Sequence, residues 1–126
     1  MSLPDDLKYA ETHEWVRVES DGTLTVGITE HAQESLGDIV SFELPGAGKV
    51  VAAGEVVATV ESVKAASEIH APVSGQIVES NALAQDDPGS VNTDPYGTWL
   101  FRLAPQDLGE VDGLMSAMAY SESVGE

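Results

Sequence analysis

Only five basic side chains stand against twenty-two acidic ones in this chain, so the lysine inside Val60-Glu61-Ser62-Val63-Lys64-Ala65-Ala66-Ser67-Glu68-Ile69 is the first residue to ask about. An amine nucleophile needs a lowered pKa, from burial or a neighbouring cation. Glu61 and Glu68 would instead favour the ammonium form of Lys64, which argues against Schiff-base chemistry. Two readings remain: an ordinary surface lysine, or the anchor of a prosthetic arm. The surroundings suit the second, because Lys64 falls at a bend between β-type segments. Val63, Ala65 and Ala66 leave room there for a modifying enzyme to close over the amine.

Other chemistries find little support. His13, His31 and His70 lack the i, i+3 or i, i+4 spacing of a local metal motif, and no serine sits in a G-x-S-x-G elbow. Gly46-Ala47-Gly48-Lys49 imitates the end of a P-loop, but Glu43 stands where its first glycine belongs and Val50 where Ser or Thr should follow the lysine, so it reads as a turn. Asp86-Asp87-Pro88-Gly89 lacks EF-hand spacing. With no cysteine, any sulfur chemistry must arrive on an attached group. A net charge of -17 and a pI near 4.1 disfavour nucleic acid, whose binding rests on lysine and arginine displacing counterions, and favour protein partners with positive patches.

The elements that must position Lys64 follow from periodicity. Glu14–Glu19 and Thr23–Ile28 alternate as the strands of a hairpin turned at Ser20-Asp21-Gly22. Thr29 as N-cap and Gly37 as stop bracket a short helix near residues 30–36. Asp38–Leu44 reads as a strand with Val40, Phe42 and Leu44 on one face. From Val50 to Asn81, short valine-rich strands are cut by Gly54, Pro72 and Gly75, and Lys64 lies almost midway between two loosely echoed segments, Gly54–Val57 and Gly75–Val78. Asn81–Tyr96 is expected to be loop, and Trp99–Leu103 the final strand. Leu108, Val111, Leu114, Met115 and Met118 recur at helical spacing and predict an amphipathic C-terminal helix over about 106–120, with the methionines in the core. The result is an all-β sandwich or barrel of short strands with two helical additions. The 126 residues fit a single domain, 1–126. Met1–Asp6 has neither the apolar core of a signal peptide nor a basic start, and no apolar run approaches the ~20 residues of a membrane span; the chain as given is expected to be cytoplasmic, with no membrane or nucleic-acid partner.

At these residues the sequence resembles the glycine cleavage system H-protein family over nearly its whole length. His13-Glu14-Trp15-Val16, Val26-Gly27-Ile28-Thr29-Glu30-His31-Ala32, Leu36-Gly37-Asp38-Ile39-Val40, Leu44-Pro45, Glu61-Ser62-Val63-Lys64-Ala65, Pro72-Val73-Ser74-Gly75 and Asn92–Tyr96 follow the family in order. Biotin carriers usually place methionine on both sides of the lysine, and acyltransferase lipoyl domains usually have Asp-Lys-Ala. Val63-Lys64-Ala65 behind Glu61-Ser62 resembles the H-protein form. Two departures stand out: Glu68 where the family usually has aspartate, and Thr98 where it usually has glycine before the tryptophan.

The resemblance implies a lipoyl/biotinyl-type barrel-sandwich hybrid of antiparallel strands, with its core over about 23–104, and a lipoate amide-linked to Lys64 within the recognition context of Glu61, Ser62, Val63 and Ala65. It implies a monomeric, non-catalytic shuttle. The pyridoxal-phosphate glycine decarboxylase loads an aminomethyl group onto the arm, the tetrahydrofolate-dependent aminomethyltransferase unloads it, and dihydrolipoamide dehydrogenase reoxidises the dithiol; lipoate-attaching enzymes install the arm. An arm cleft is implied at Thr12, Glu14 and Glu68. The alternative within the same resemblance is an H-like protein that mainly relays lipoate to other complexes.

Overall fold

The computed structural model describes residue 4 and residues 6–124. Among the described residues nine strands form two antiparallel sheets: β1 (Lys8–Tyr9), β2 (Glu14–Val18), β3 (Leu24–Ile28), β4 (Ile39–Glu43), β5 (Val50–Val51), β6 (Val56–Ser62), β7 (Ala66–His70), β8 (Gly75–Ser80) and β9 (Phe101–Pro105). One sheet runs β1-β2-β3-β9-β8-β5 and the other β4-β6-β7. Alternation puts one face of each inward. A single buried cluster draws Val16, Val26, Ile77 and Leu103 from the first sheet and Phe42, Val60 and Ile69 from the second. Burying these side chains contributes about 1.5–3 kcal/mol apiece before entropy is counted.

The first hairpin forms where its alternation predicts, with Gly22 at φ 88° in the turn. Trp15 pairs with Gly27 across it. The indole lies so close over that glycine that an added Cβ would meet Trp15 Cε2 at 2.5 Å. The indole N–H donates to the carbonyl of Pro95 at 2.9 Å, tying the long connection after β8 to the second strand.

Helix α1 (Glu30–Leu36) begins and ends as its caps predict: Thr29 Oγ1 accepts from Ala32 N–H, and Gly37 at φ 74° closes the last turn on the carbonyl of Gln33. Three expectations fail in detail. Val40 is 54% exposed, because β4 carries an irregularity between Ile39 and Ser41 that sends Ile39 and Phe42 inward instead; a bulge breaks strict alternation. The Asn81–Tyr96 connection contains two short helices, α2 (Ala82–Asp86) and α3 (Gly89–Thr93), the first capped by the Asn81 side chain. Each is too short to show a helical period and buries a single apolar residue, Ala84 or Val91.

The C-terminal helix is present, but not continuously over 106–120. A 3-10 segment (Leu108–Gly113) is followed by extended Leu114, a bridge between Met115 and Tyr9, and α4 (Ala117–Val124). Gly109 and Gly113 sit in the segment that fails to become α-helix, as their backbone entropy favours. The buried side chains of α4 are Ala117 and Tyr120, packed with Leu7, Tyr9 and Trp15 in a second cluster, whereas Met118 is 75% exposed and Leu108 48%, so neither lies in the core. No helix among the described residues is long and apolar enough to cross a membrane.

Candidate functional site: a hairpin lysine beside a cleft

Lys64 lies in the turn that joins β6 to β7, where Glu61 pairs with Ala66. Ser62 closes that turn twice over. Its N–H donates to the carbonyl of Ala65 at 2.8 Å, and its Oγ accepts from the N–H groups of Lys64 and Ala65 at 3.2 and 3.1 Å. Val63, Lys64 and Ala65 are all exposed. The turn rests on a ledge, since the N–H of Val63 donates to the carbonyl of Asp38 at 3.0 Å. The Lys64 stem lies over Gly37, close enough that a Cβ there would stand 2.7 Å from Lys64 Cε.

Asn92, on α3, holds that ledge. Its Oδ1 accepts from Ile39 N–H at 2.9 Å, and its Nδ2 donates to the carbonyl of Gly37 at 2.8 Å and to Gln33 Oε1 at 2.9 Å. Sequence reasoning gave Asn92 no role of its own. A lone polar residue in a turn-rich stretch has no periodicity to mark it, and its partners are distant in sequence.

The three residues expected around an arm cleft do come together. A cleft of about 220 Å³ is lined by Thr12, Glu14 and Glu68, by Ile28, Val60 and Ile69 of the two sheets, and by Ala32 and Leu36 of α1. Leu36 immediately precedes the Gly37 that the Lys64 stem crosses, so the lysine stem and the cleft lining meet adjacent residues of the chain. The lining mixes these aliphatic side chains with polar ones, His13, Ser35 and Ser67 joining Thr12, Glu14 and Glu68.

Glu14 and Glu68 differ sharply. Glu68 is exposed at the rim, whereas Glu14 is 1% exposed. Glu14 Oε1 accepts from the Thr12 hydroxyl and Oε2 from the backbone N–H of His70 at 3.0 Å. Burial pushes the Glu14 carboxyl above its ordinary 4.5, with the Thr12 and His70 hydrogen bonds pulling the other way. The histidines, far apart in sequence, are partly gathered: the His13 and His31 rings lie 4.8 Å apart, and His70 Nδ1 stands 3.8 Å from Glu14 Oε2. The β-carbon of Thr98 is accommodated where the family has glycine, its hydroxyl donating to the carbonyl of Ser90 at 3.2 Å.

A mostly antiparallel two-sheet fold that presents an exposed lysine on a tight hairpin defines a carrier module of the lipoyl and biotinyl class. The glycine cleavage H-protein family model matches residues 7–126. The chain is 60% identical over 126 residues to the glycine cleavage system H protein of Paraburkholderia phymatum, covering all of both chains. It is 58% identical over 125 residues to that of Halorhodospira halophila, covering 98% of this chain and 96% of the relative. A crystal structure of a glycine cleavage system H protein from Mycobacterium marinum superposes with a TM-score of 0.90 at 44% identity, covering 98% of this chain and 100% of that one. The chain belongs to the glycine cleavage H-protein family, and its role is that of lipoyl carrier in the glycine cleavage system.

Proposed function

We propose that the lipoyl group is amide-linked to Nζ of Lys64, and that the chain is a non-catalytic shuttle. On this reading it carries an aminomethyl group from glycine decarboxylase to aminomethyltransferase and then presents the dithiol to dihydrolipoamide dehydrogenase. The observation that carries the reading is an exposed lysine on a tight hairpin turn whose stem lies over Gly37, next in the chain to Leu36, which lines a cleft that also holds Glu14 and Glu68.

The residues present fit such an arm. Ile28, Ala32, Leu36, Val60 and Ile69 offer an aliphatic lining to an acyl chain and its ring. Thr12, Glu14 and Glu68 offer acceptors to an ammonium group at the arm's end. When bound, lipoate supplies the redox-active disulfide that a chain without cysteine lacks. The protein's own part is to present and to shelter. Ser62 fixes the turn, so that a modifying enzyme meets Lys64 in one backbone geometry, and Asn92 steadies the ledge beneath it. The cleft walls exclude water from whatever end-group they hold, and the tether keeps that group at high local concentration once a partner docks.

The test is reconstitution. Incubated with a lipoate-attaching enzyme, the wild type should gain the mass of one lipoyl group and Lys64→Arg should gain none. With the three partner enzymes, the lipoylated wild type should support glycine-dependent formation of methylene-tetrahydrofolate. Modification of Lys64→Arg would overturn the anchor; modification of the wild type without turnover would overturn the shuttle and favour a lipoate relay.

A further inference from the structure

The C-terminal helix reaches the edge of the cleft through one hydroxyl. Tyr120, fully buried on α4, stacks on Tyr9 with ring centroids 4.9 Å apart. Its Oη lies 2.7 Å from His13 Nδ1 and 2.7 Å from Thr29 Oγ1. His13 precedes β2 and lines the cleft between Thr12 and Glu14; Thr29, beside it at the end of β3, caps α1, whose Ala32 and Leu36 also line the cleft.

His13 needs holding. Its φ of 77° makes it the one positive-φ residue other than glycine among the described residues. That backbone is disfavoured wherever a Cβ is present and persists only when its surroundings over-determine it. Two backbone bonds contribute: His13 N–H to the carbonyl of Ala10 at 2.9 Å, and Thr29 N–H to the carbonyl of His13 at 3.0 Å. The side-chain contact to Tyr120 adds a restraint from outside the cleft lining.

The proton inventory is consistent with a clamp. Burial, and then the charge of His31, hold the His13 imidazole below its ordinary 6.5, which favours a neutral ring with one nitrogen left to accept. A hydroxyl both donates and accepts, so Tyr120 Oη can serve His13 Nδ1 and Thr29 Oγ1 together, donating to one and accepting from the other. A lone pair of Thr29 Oγ1 remains for the Ala32 N–H that it caps at 3.2 Å.

We propose that Tyr120 is a positioning residue for the arm cleft: its hydroxyl braces His13 against the Thr29 cap of α1, fixing the placement of Thr12 and Glu14 on either side of His13 and of α1 beside them. This rests on the reading of the cleft as the shelter of the loaded arm. The C-terminal helix thereby becomes part of the carrier's shelter without touching what is carried.

Tyr120→Phe keeps the stacked ring and removes only the hydroxyl. In the unlipoylated variant, the His13 ring nitrogens should shift in 15N NMR toward a mixture of neutral tautomers. In the lipoylated, aminomethyl-loaded variant, decay of the loaded form should be about fivefold faster, the loss expected for a modest hydrogen-bonded restraint. Lipoylation of Lys64 should proceed at the wild-type rate. Unchanged His13 shifts with unchanged decay would overturn the clamp. Glu14→Gln, measured alongside, separates the two ideas: if it speeds decay and Tyr120→Phe does not, the clamp fails and the shelter stands; if neither speeds decay, the shelter fails and the clamp with it. Should Tyr120→Phe not fold, His13→Asn, which tolerates a left-handed backbone but withdraws from Tyr120, is read by the same decay assay. Faster decay supports the clamp, and wild-type decay overturns it.

Discussion

Lys64, on the hairpin turn, and Glu14, in the lining of the cleft, are treated by the chain in opposite ways. The lysine is exposed in a turn held by backbone hydrogen bonds and the hydroxyl of Ser62, so its side chain is free for an enzyme to find. The carboxylate is buried in full and spends its oxygens on Thr12 and His70. An anchor that must be modified needs access. A group that receives an ammonium end needs pre-placement in a dry setting, where an ionic hydrogen bond is worth more. Changes at the buried residue should therefore be felt in stability, and changes at the exposed turn in the rate of modification.

Glu14→Ala should show the largest effect on the fold. It empties a buried site and leaves the half-buried His70 N–H without its acceptor, a loss of about 1–3 kcal/mol, while the exposed Thr12 hydroxyl can turn to water. Urea unfolding should report that loss, while the lipoylation rate at Lys64 stays near wild type. Glu14→Gln adds a pH signature. Burial raises the folded pKa of Glu14 above 4.5, so the native state holds this proton more tightly than the unfolded chain does. That contribution is fully present below pH 4.5 and is lost as pH rises through the folded pKa. The stability of Glu14→Gln relative to wild type should therefore move in the variant's favour across that window and stay level above it.

How far the sequence could announce this contrast depends on the range of the interactions involved. Caps and turns act within a few residues, which is why α1, the first hairpin and the bend at Lys64 were legible from Thr29, Gly37, Gly22 and the spacing around Lys64. Burial of Glu14 was not, because an acidic chain offers carboxylates everywhere and only partners distant in sequence, such as the His70 N–H, single one out. The bulge in β4 and the break before α4 were also hidden. Each depends on partners across the fold, Ser62 and Glu61 for the bulge and Tyr9 for the Met115 bridge. Asn92 belongs with these, since it acts on Gln33, Gly37 and Ile39 from a distant segment.

Gly37→Ala tests whether the ledge belongs to the anchor or to the cleft. Gly37 has φ 74° and ψ -151°, a region nearly reserved for glycine, and forcing a Cβ into it costs about 1–3 kcal/mol. The same Cβ would displace the Lys64 stem, which it meets at Cε. A thermal-melt loss combined with slower lipoylation is expected. A loss of stability with an unchanged modification rate would mean that the ledge serves the fold alone.

Ser62→Ala should have the smallest effect on stability and so cuts most finely between the two regions. The N–H groups of Lys64 and Ala65 lose a side-chain acceptor, but both residues are exposed and water can replace it, leaving a change of about 0.5 kcal/mol or less. The backbone bond from Ser62 N–H to the carbonyl of Ala65 remains to close the hairpin. What goes is the preference for one arrangement of Lys64, so a modifying enzyme must select the productive geometry from several. The expected result is a lipoylation rate lower by about two- to fivefold at unchanged melting temperature, the cost of ordering a turn that the hydroxyl had ordered in advance. An equal rate in the two proteins would show that the enzyme imposes its own geometry on the turn, and exposure alone would then distinguish the anchor from the cleft.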